Sequence, residues 1–468
     1  MMDERIIEAA KRRCEAVMER ISGGLPRSKI AESCKRTLLR LATSELNFLS
    51  RLSPSSSSTT LSCNIGYIET IVDIIQQPCI TGVSRVCKPV SLIHGVEKER
   101  QSGSHHKDIH VDIVCMLNKA PVWFIVSDRN PKYISWDGFG GEKSLKLRMQ
   151  QILAAAVTSP SMQPTSVILF FAKGLDDSVR KMLMMEFSCS VIELELSHFE
   201  FAFFEEPEGE WVDILARSYR KACILSSKVE QYPKSGSISI ADVKQTSVAA
   251  VGQVTEKHKY QKNLGNSFIS LISSIEYSSM DSQHAECSTA GELSYGDDLI
   301  NFDTTALIAI VSGISNGSSG KILATPESDL EKRFKSNSKF LISQAHAEIE
   351  RPIHSELHGI LCGKRGIVCE TVYSEFMEVV SMCGGPNERS RADILIKHLR
   401  IVPDSPSLRM RSLPTTRKLA LKNKVIFGTG DYWSAPILTA NMGFVRAIAQ
   451  TGMPLLFFEH RPRALVGE

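Results

Sequence analysis

The sequence has little charge of one sign. Its 55 Lys and Arg face 52 Asp and Glu, for a formal net charge of +3. Net charge therefore selects neither nucleic acid nor a membrane surface as a partner, and only local clusters can. The sequence also lacks Cys-x-x-Cys pairs. Its 12 cysteines are scattered without a framework, which excludes a small disulfide scaffold and points to reduced thiols in the cytoplasm or nucleus. Long apolar runs are missing too. The longest, VILFFA at 167–172, has strand length, against the ~18 residues of a membrane span. The opening MMDERIIEAAKRRCEAVMERI has no apolar stretch of the kind a signal peptide carries. What is present is ordinary for folded proteins: 43% hydrophobic and 23% charged residues. A chain of 468 residues is long enough for two or three domains, because single cores stop growing near about 250–300 residues.

Apolar periodicity divides the chain. Ile6, Ala9, Ala10, Val17 and Ile21 form one stripe over residues 2–21, a Gly-Gly-Leu-Pro break follows at 23–26, and a second helical pattern runs over 28–52. Residues 1–60 thus read as a helical hairpin, closed by the serine run at 53–60, a connector by composition. Lys11, Arg12 and Arg13 on the first helix read as a solvated face, with nucleic-acid contact as the rarer alternative. Residues 61–225 read as an α/β domain. It has a strand pair at 108–117 and 120–128 turning at Asn118-Lys119, a helix at 144–157, a strand at 166–174, a helix at 176–187 and a strand at 190–195. Serine, lysine and glutamine then dominate 226–296, a linker apart from one possible helix at 264–275.

From 297 to 468 the α/β pattern returns. Strands are expected at LINFD (299–303), RGIVCETV (365–372), KVIFGTG (424–430), APILTAN (435–441) and MPLLFFEH (453–460), with helices near 329–349, 373–382 and 441–452. Short apolar strands separated by helices predict a three-layer α/β/α sandwich on a parallel sheet.

Open parallel sheets bind ligands beyond the carboxyl ends of their strands. Four polar residues are expected there: Asp303, Glu375 in the first turn of its helix, Asp431 and Asn441. Converging carboxylates suit a hard divalent cation, which can polarise a phosphate and generate hydroxide. Each residue also has a plain structural explanation. Asp303 can cap a helix, Glu375 can face a helix dipole, and Asp431 can serve a turn after Gly430.

Asp-Thr-Thr after an apolar strand, a Glu on a middle helix and Thr-Ala-Asn-x-x-Phe near the end resemble the PIN-like nuclease superfamily. FGTGDYWSAPILTANMGFVRAIAQTG and HRPRAL resemble more closely the C-terminal region of an uncharacterised eukaryotic two-domain family placed in that superfamily. The resemblance implies a metal-dependent RNA endonuclease. Asp303, Glu375 and Asp431 would hold Mg²⁺ or Mn²⁺, and Asn441 would assist catalysis. Asn441 departs from the family's Thr-x-Asp, offering a carbonyl oxygen without charge. The alternative is a catalytically inactive module that binds RNA or a protein. Between Glu388 and Lys424 ten Lys or Arg face only Glu388, Asp393 and Asp404. Arg409, Arg411, Arg417, Lys418, Lys422 and Lys424 are the expected contacts to an RNA backbone. Tyr432 and Trp433 could stack a base, although core packing is the commoner fate of such rings.

Other patterns carry less. His94, His105, His106 and His110 lack zinc spacing. Asp112 on a strand is followed by a strand offering Ile125 and Ser127, not a second acid and a lysine. Gly138, Gly140 and Gly141 have no Lys-Ser after them. Cys362, Cys369 and Cys383 read as buried thiols.

Overall fold

In the computed structural model the described residues are 4–26, 28–52, 63–90, 109–138, 144–193, 221–229, 265–276 and 298–468. The serine run, most of the expected linker, His94, His105, His106, Gly140 and Gly141 lie outside them. The chain forms two compact units, residues 1–231 with 445–456, and residues 232–444 with 457–468.

The first unit begins with the expected helical hairpin, α1 (Glu4–Gly24) and α2 (Glu32–Ser50). The buried stripe of α1 is Ile7, Ala10, Cys14, Val17 and Ile21, a spacing of three or four that keeps one face turned inward. Arg13 does not face solvent as expected of its cluster: its Nε donates to Glu69 Oε1 at 2.7 Å. Glu69 belongs to α3 (Ile65–Gln76), a helix additional to those expected from the sequence.

The sheet of this unit contains β1 (Ile80–Val90), β2 (Ile109–Leu117), β3 (Ala120–Ser127), β4 (Ser166–Phe171), β5 (Ser190–Val191) and β6 (Cys223–Lys228), in the order β1-β2-β3-β4-β6-β5. Only β3 and β4 pair in parallel; the other pairs are antiparallel. Strand alternation divides its core. Phe124, Val126, Ile168 and Phe170 pack with α1, α2 and α3 on one face. Trp123, Ile125, Val167 and Leu169 pack on the other with α4 (Leu145–Thr158) and α5 (Asp177–Glu186). Both faces are covered, so these strands read as continuous apolar runs.

In the second unit α6 (Asn266–Ser274) precedes a five-stranded sheet. Its strands are β7 (Leu299–Phe302), β8 (Arg365–Cys369), β9 (Arg400–Val402), β10 (Ile437–Thr439) and β11 (Phe457–Glu459), ordered β11-β10-β7-β8-β9. Every pair is parallel, as expected. Helices α7 (Thr304–Val311), α8 (Ser319–Ala324), α9 (Glu327–Phe334), α10 (Ser338–Glu350) and α11 (Ile353–Leu361) connect β7 to β8. Next come α12 (Glu370–Cys383) and α13 (Pro386–His398), then α14 (Leu408–Arg411) and α15 (Leu421–Tyr432); α16 (Met442–Thr451) follows β10, and its residues from 445 on belong to the first unit.

Three sequence expectations change here. KVIFGTG is not a strand but the middle of α15, which places Asp431 near the end of a helix. Strand β8 ends at Cys369, so Glu375 lies in the second turn of α12 and Glu370 holds the first. Thr304–Ala324 does have the length and hydropathy of a membrane span, but 67% of its apolar window is buried. Asn316 and Gly317, with φ of −113° and 95°, also break its helical path.

Candidate functional site

The carboxyl ends of β7, β10 and β11 meet in one buried polar network. Asp303 follows β7 and caps α7: its Oδ1 accepts from the Ala306 amide at 2.9 Å and the Thr305 hydroxyl at 2.6 Å. Its Oδ2 accepts from the Thr439 hydroxyl at the end of β10. The Thr305 oxygen accepts the Ala440 amide at 2.9 Å and lies 3.3 Å from His460 Nε2, just past β11. His460 Nδ1 lies 3.1 Å from the Arg461 carbonyl, which can only accept, so that nitrogen carries a proton.

Asp303, Thr439 and His460 are 4%, 0% and 2% exposed, so the network is buried. Burial raises the Asp303 carboxyl above its ordinary range, against the hydroxyls and His460, which favour its charge. Burial likewise lowers His460, opposed by Asp303. The network ties three strand ends together through side-chain and backbone hydrogen bonds. Sequence reasoning held Thr305 and Thr439 only as members of the Asp-Thr-Thr and Thr-Ala-Asn motifs, without a role, and assigned none to His460. The available signal was position alone, since each stands at a strand end or in the first helical turn behind one.

The other candidate acids have separate partners. Glu375 accepts the Thr304 hydroxyl at 2.6 Å, and the Lys422 ammonium sits 2.7 Å from its other oxygen. Asp431 is held by the Arg409 guanidinium and by the Ser407 hydroxyl. Ser407 also caps α14, so this trio locks the short helix to α15. Asn441 accepts the Phe444 amide at 3.1 Å through its side-chain oxygen, the bond of a helix N-cap.

A Mg²⁺ or Mn²⁺ ion shared by Asp303, Glu375 and Asp431 would need the three carboxylates to converge on one point. Here each oxygen of Asp303 and Asp431 accepts from a protein donor, and Glu375 faces a lysine. The three do not fit a common divalent ion. Among the described residues, no group of three or more His, Cys, Asp or Glu is placed to hold a metal.

The expected RNA contacts also separate. Lys424 is buried and donates to the Leu413 carbonyl at 2.6 Å, which anchors the loop after α14. Arg409 and Lys422 are engaged by Asp431 and Glu375. Arg411, Arg417 and Lys418 are exposed, and no described residue forms an ion pair with them. Tyr432 is 54% exposed, while Trp433 is half-buried against it, ring edge to face at 5.7 Å.

The remaining sequence signals settle as structural features. Asp112 is a buried acceptor for the Tyr67 hydroxyl and the Val126 amide. His110 is exposed on β2, and of the three C-terminal cysteines only Cys369 is buried.

No solved structure matches the chain. Residues 300–468, which contain the parallel sheet and the network at its strand ends, match the model of a family described as a protein of unknown function (DUF1308), so the chain carries a C-terminal DUF1308 domain.

Proposed function

We propose that the C-terminal domain is a PIN-like module that binds single-stranded RNA without cleaving it. One contrast carries this reading: the candidate catalytic carboxylates are held by protein donors, while Arg411 at the end of α14 and Arg417 and Lys418 in the segment after it are exposed and have no ion-pair partner among the described residues. Cations without neighbouring acids suit a phosphodiester backbone. The exposed ring of Tyr432, beside the Arg409-bound Asp431, offers a face for a base.

The test is a titration of fluorescent single-stranded RNA over a range of salt, with Mn²⁺ present in a parallel series. Binding that weakens with salt and leaves the RNA intact is the expected result. Replacing Arg411, Arg417 and Lys418 together by Gln should reduce the slope of log K against log salt by about 2, at roughly 0.7 per phosphate contact on a single strand. An unchanged slope removes this loop from the interface.

The second reading is a Mg²⁺- or Mn²⁺-dependent endoribonuclease. It is favoured by the Thr304 hydroxyl, which links Glu375 to the residue next to Asp303. Mn²⁺-dependent cleavage that is lost in Asp303→Asn would establish that reading and displace the first.

A further inference from the structure

The other edge of the same sheet carries a second feature. Arg365 opens β8 and Arg400 opens β9, both at the amino ends of adjacent parallel strands. Arg400 is the register partner of Ile367, and Ile367 shares a sheet face with Arg365 two residues earlier. The two arginines therefore stand on one face with Cα atoms about 8 Å apart, from ~6.6 Å along the strand and ~4.8 Å across. Helix α15 covers this face, as shown by the bond from Asn301 Nδ2 to the Ile426 carbonyl at 3.2 Å. Gly430 permits that approach, since a Cβ there would lie 2.8 Å from Asn301 Nδ2. Trp433, the residue after α15, closes the space above the arginines.

A small cavity results, about 10 Å³ in volume and lined by Leu299, Arg365, Ile367, Arg400 and Trp433 among others, with no acid in its wall. That volume admits one oxygen-sized group. No described residue forms a hydrogen bond or ion pair with either guanidinium. The indole Nε1 of Trp433 is buried with no acceptor. Buried donors nearly always find partners, so an orphan beside two free cations indicates a missing acceptor.

We propose that this notch binds a terminal phosphate. Two planar forks match the charge and oxygen geometry of a phosphomonoester. The indole N–H would serve one oxygen inserted in the notch while the rest of the group stays at the mouth. A phosphodiester has only two free oxygens and continuing chain on both sides, and so fills the site less well. The same phosphate can arrive on a mononucleotide or at the 5′ end of an RNA. The site is independent of the exposed loop proposed to hold the RNA backbone.

The experiment uses the full chain and follows thermal unfolding with inorganic phosphate against chloride at equal ionic strength. A mononucleotide, and RNA with a 5′-phosphate or a 5′-hydroxyl, form the further arms. Phosphate should raise the melting temperature beyond chloride, and Arg365→Gln and Arg400→Gln should each weaken it about tenfold, as expected on loss of a charge-assisted hydrogen bond. Trp433→Phe keeps an aromatic ring and removes the orphan donor. It should leave the unliganded melting temperature unchanged or higher while still weakening phosphate. A preference for 5′-phosphate RNA over 5′-hydroxyl RNA, lost in the arginine variants, identifies RNA ends as the source; a response to the mononucleotide alone identifies free nucleotides. The proposal is overturned if phosphate acts no differently from chloride, or if the three variants respond as the parent does. RNA binding through the loop at 411–418 would survive that failure.

Discussion

Among the buried carboxylates of the two units, Asp112 on a strand of the first sheet and Asp303 at a strand end of the second are held alike. In the first unit Asp112 accepts the Tyr67 hydroxyl and the Val126 amide at 2.7 Å. In the second, Asp303 accepts two threonine hydroxyls and the Ala306 amide at 2.9 Å. Burial raises both carboxyls above their ordinary range. Yet Asp112 lies within an antiparallel strand, where no ligand crevice is expected, whereas Asp303 stands at the carboxyl end of a parallel one. The shared hydroxyl-and-amide hold shows that an acid at a strand end is not in itself a catalytic signal. The same chemistry can serve to satisfy backbone and side-chain donors where water is excluded.

The largest effect that would sharpen the comparison lies in the second unit. Glu388 is 0% exposed and accepts from four backbone amides, those of Gly313, Gly385, Val466 and Gly467. Glu388→Ala leaves all four without their acceptor, an expected loss of about 4 kcal/mol or more at 1–3 kcal/mol per unsatisfied buried group, tempered by relaxation. Urea unfolding together with peptide-resolved hydrogen exchange should place that loss in the second unit and leave the first protected.

Next in size is the pair of acids itself. Asp303→Ala removes a helix cap and strands two hydroxyl donors, with an expected cost of about 2–4 kcal/mol. Asp112→Ala, with fewer donors to strand, should cost about 1–3 kcal/mol. Asn at either position keeps an acceptor and carries no buried charge, so it should cost less than Ala. If Asp303→Asn is as damaging as Asp303→Ala, Asp303 has a need for charge that Asp112 lacks, and the parallel between the units fails.

A pH series separates the units further. His354 is buried, with Nε2 2.9 Å from the Ile310 carbonyl and Nδ1 3.0 Å from the Ser267 hydroxyl. Burial, with Arg391 nearby, lowers it from its ordinary 6.5. The unfolded chain therefore protonates first as pH falls, and the contribution of this group, present above pH 6.5, is lost as pH drops toward the folded value. His460 has the same sign. The two histidines should weaken the second unit on acidification below pH 6.5, opposed by the raised carboxyls of Asp303 and Glu348, whose linkage has the other sign, and His354→Gln should remove its share of the weakening. A curve unaltered by the variant would mean that His354 titrates normally.

The smallest effect is expected at the surface. The Lys422–Glu375 pair is half-exposed, so Lys422→Gln should change stability by under about 1 kcal/mol. The same variant tests whether Glu375 awaits a cation. The melting temperature with and without Mn²⁺ should move no more than in the parent; a new Mn²⁺-dependent rise would show that the lysine occupies a metal's place.

Much of the architecture could be read in advance. The stripe of α1, the strand pair β2–β3 with its turn at Asn118-Lys119, and the parallel pairing of the second sheet, though not its strand order, follow from periods of 3.6 and 2 with their punctuation. The error at KVIFGTG has a specific cause. A short apolar run satisfies a buried strand and a buried helix equally well, and α15 is buried along Ile426, Phe427, Gly428, Thr429 and Gly430. Two glycines argued for a turn, whereas Gly430 serves close packing against Asn301. At the candidate site, residue type and strand-end position were legible, but partners were not. Nothing in the sequence spacing pairs Arg409 with Asp431 or turns Lys424 inward to the Leu413 carbonyl.

The sequence by itself determined the helical hairpin, the β2–β3 pair, a parallel second sheet and the place of Asp303 at its carboxyl edge, but not the helix at KVIFGTG, which moves Asp431 off that edge. These properties depend on neighbours within one or two turns. Only the tertiary structure decided what those acids touch, because Asp303 meets Thr439 across 136 positions and Glu375 meets Thr304 across 71. Whether a buried carboxylate serves a ligand or the protein's own donors depends on which groups packing brings within about 3 Å, and local pattern carries no record of that.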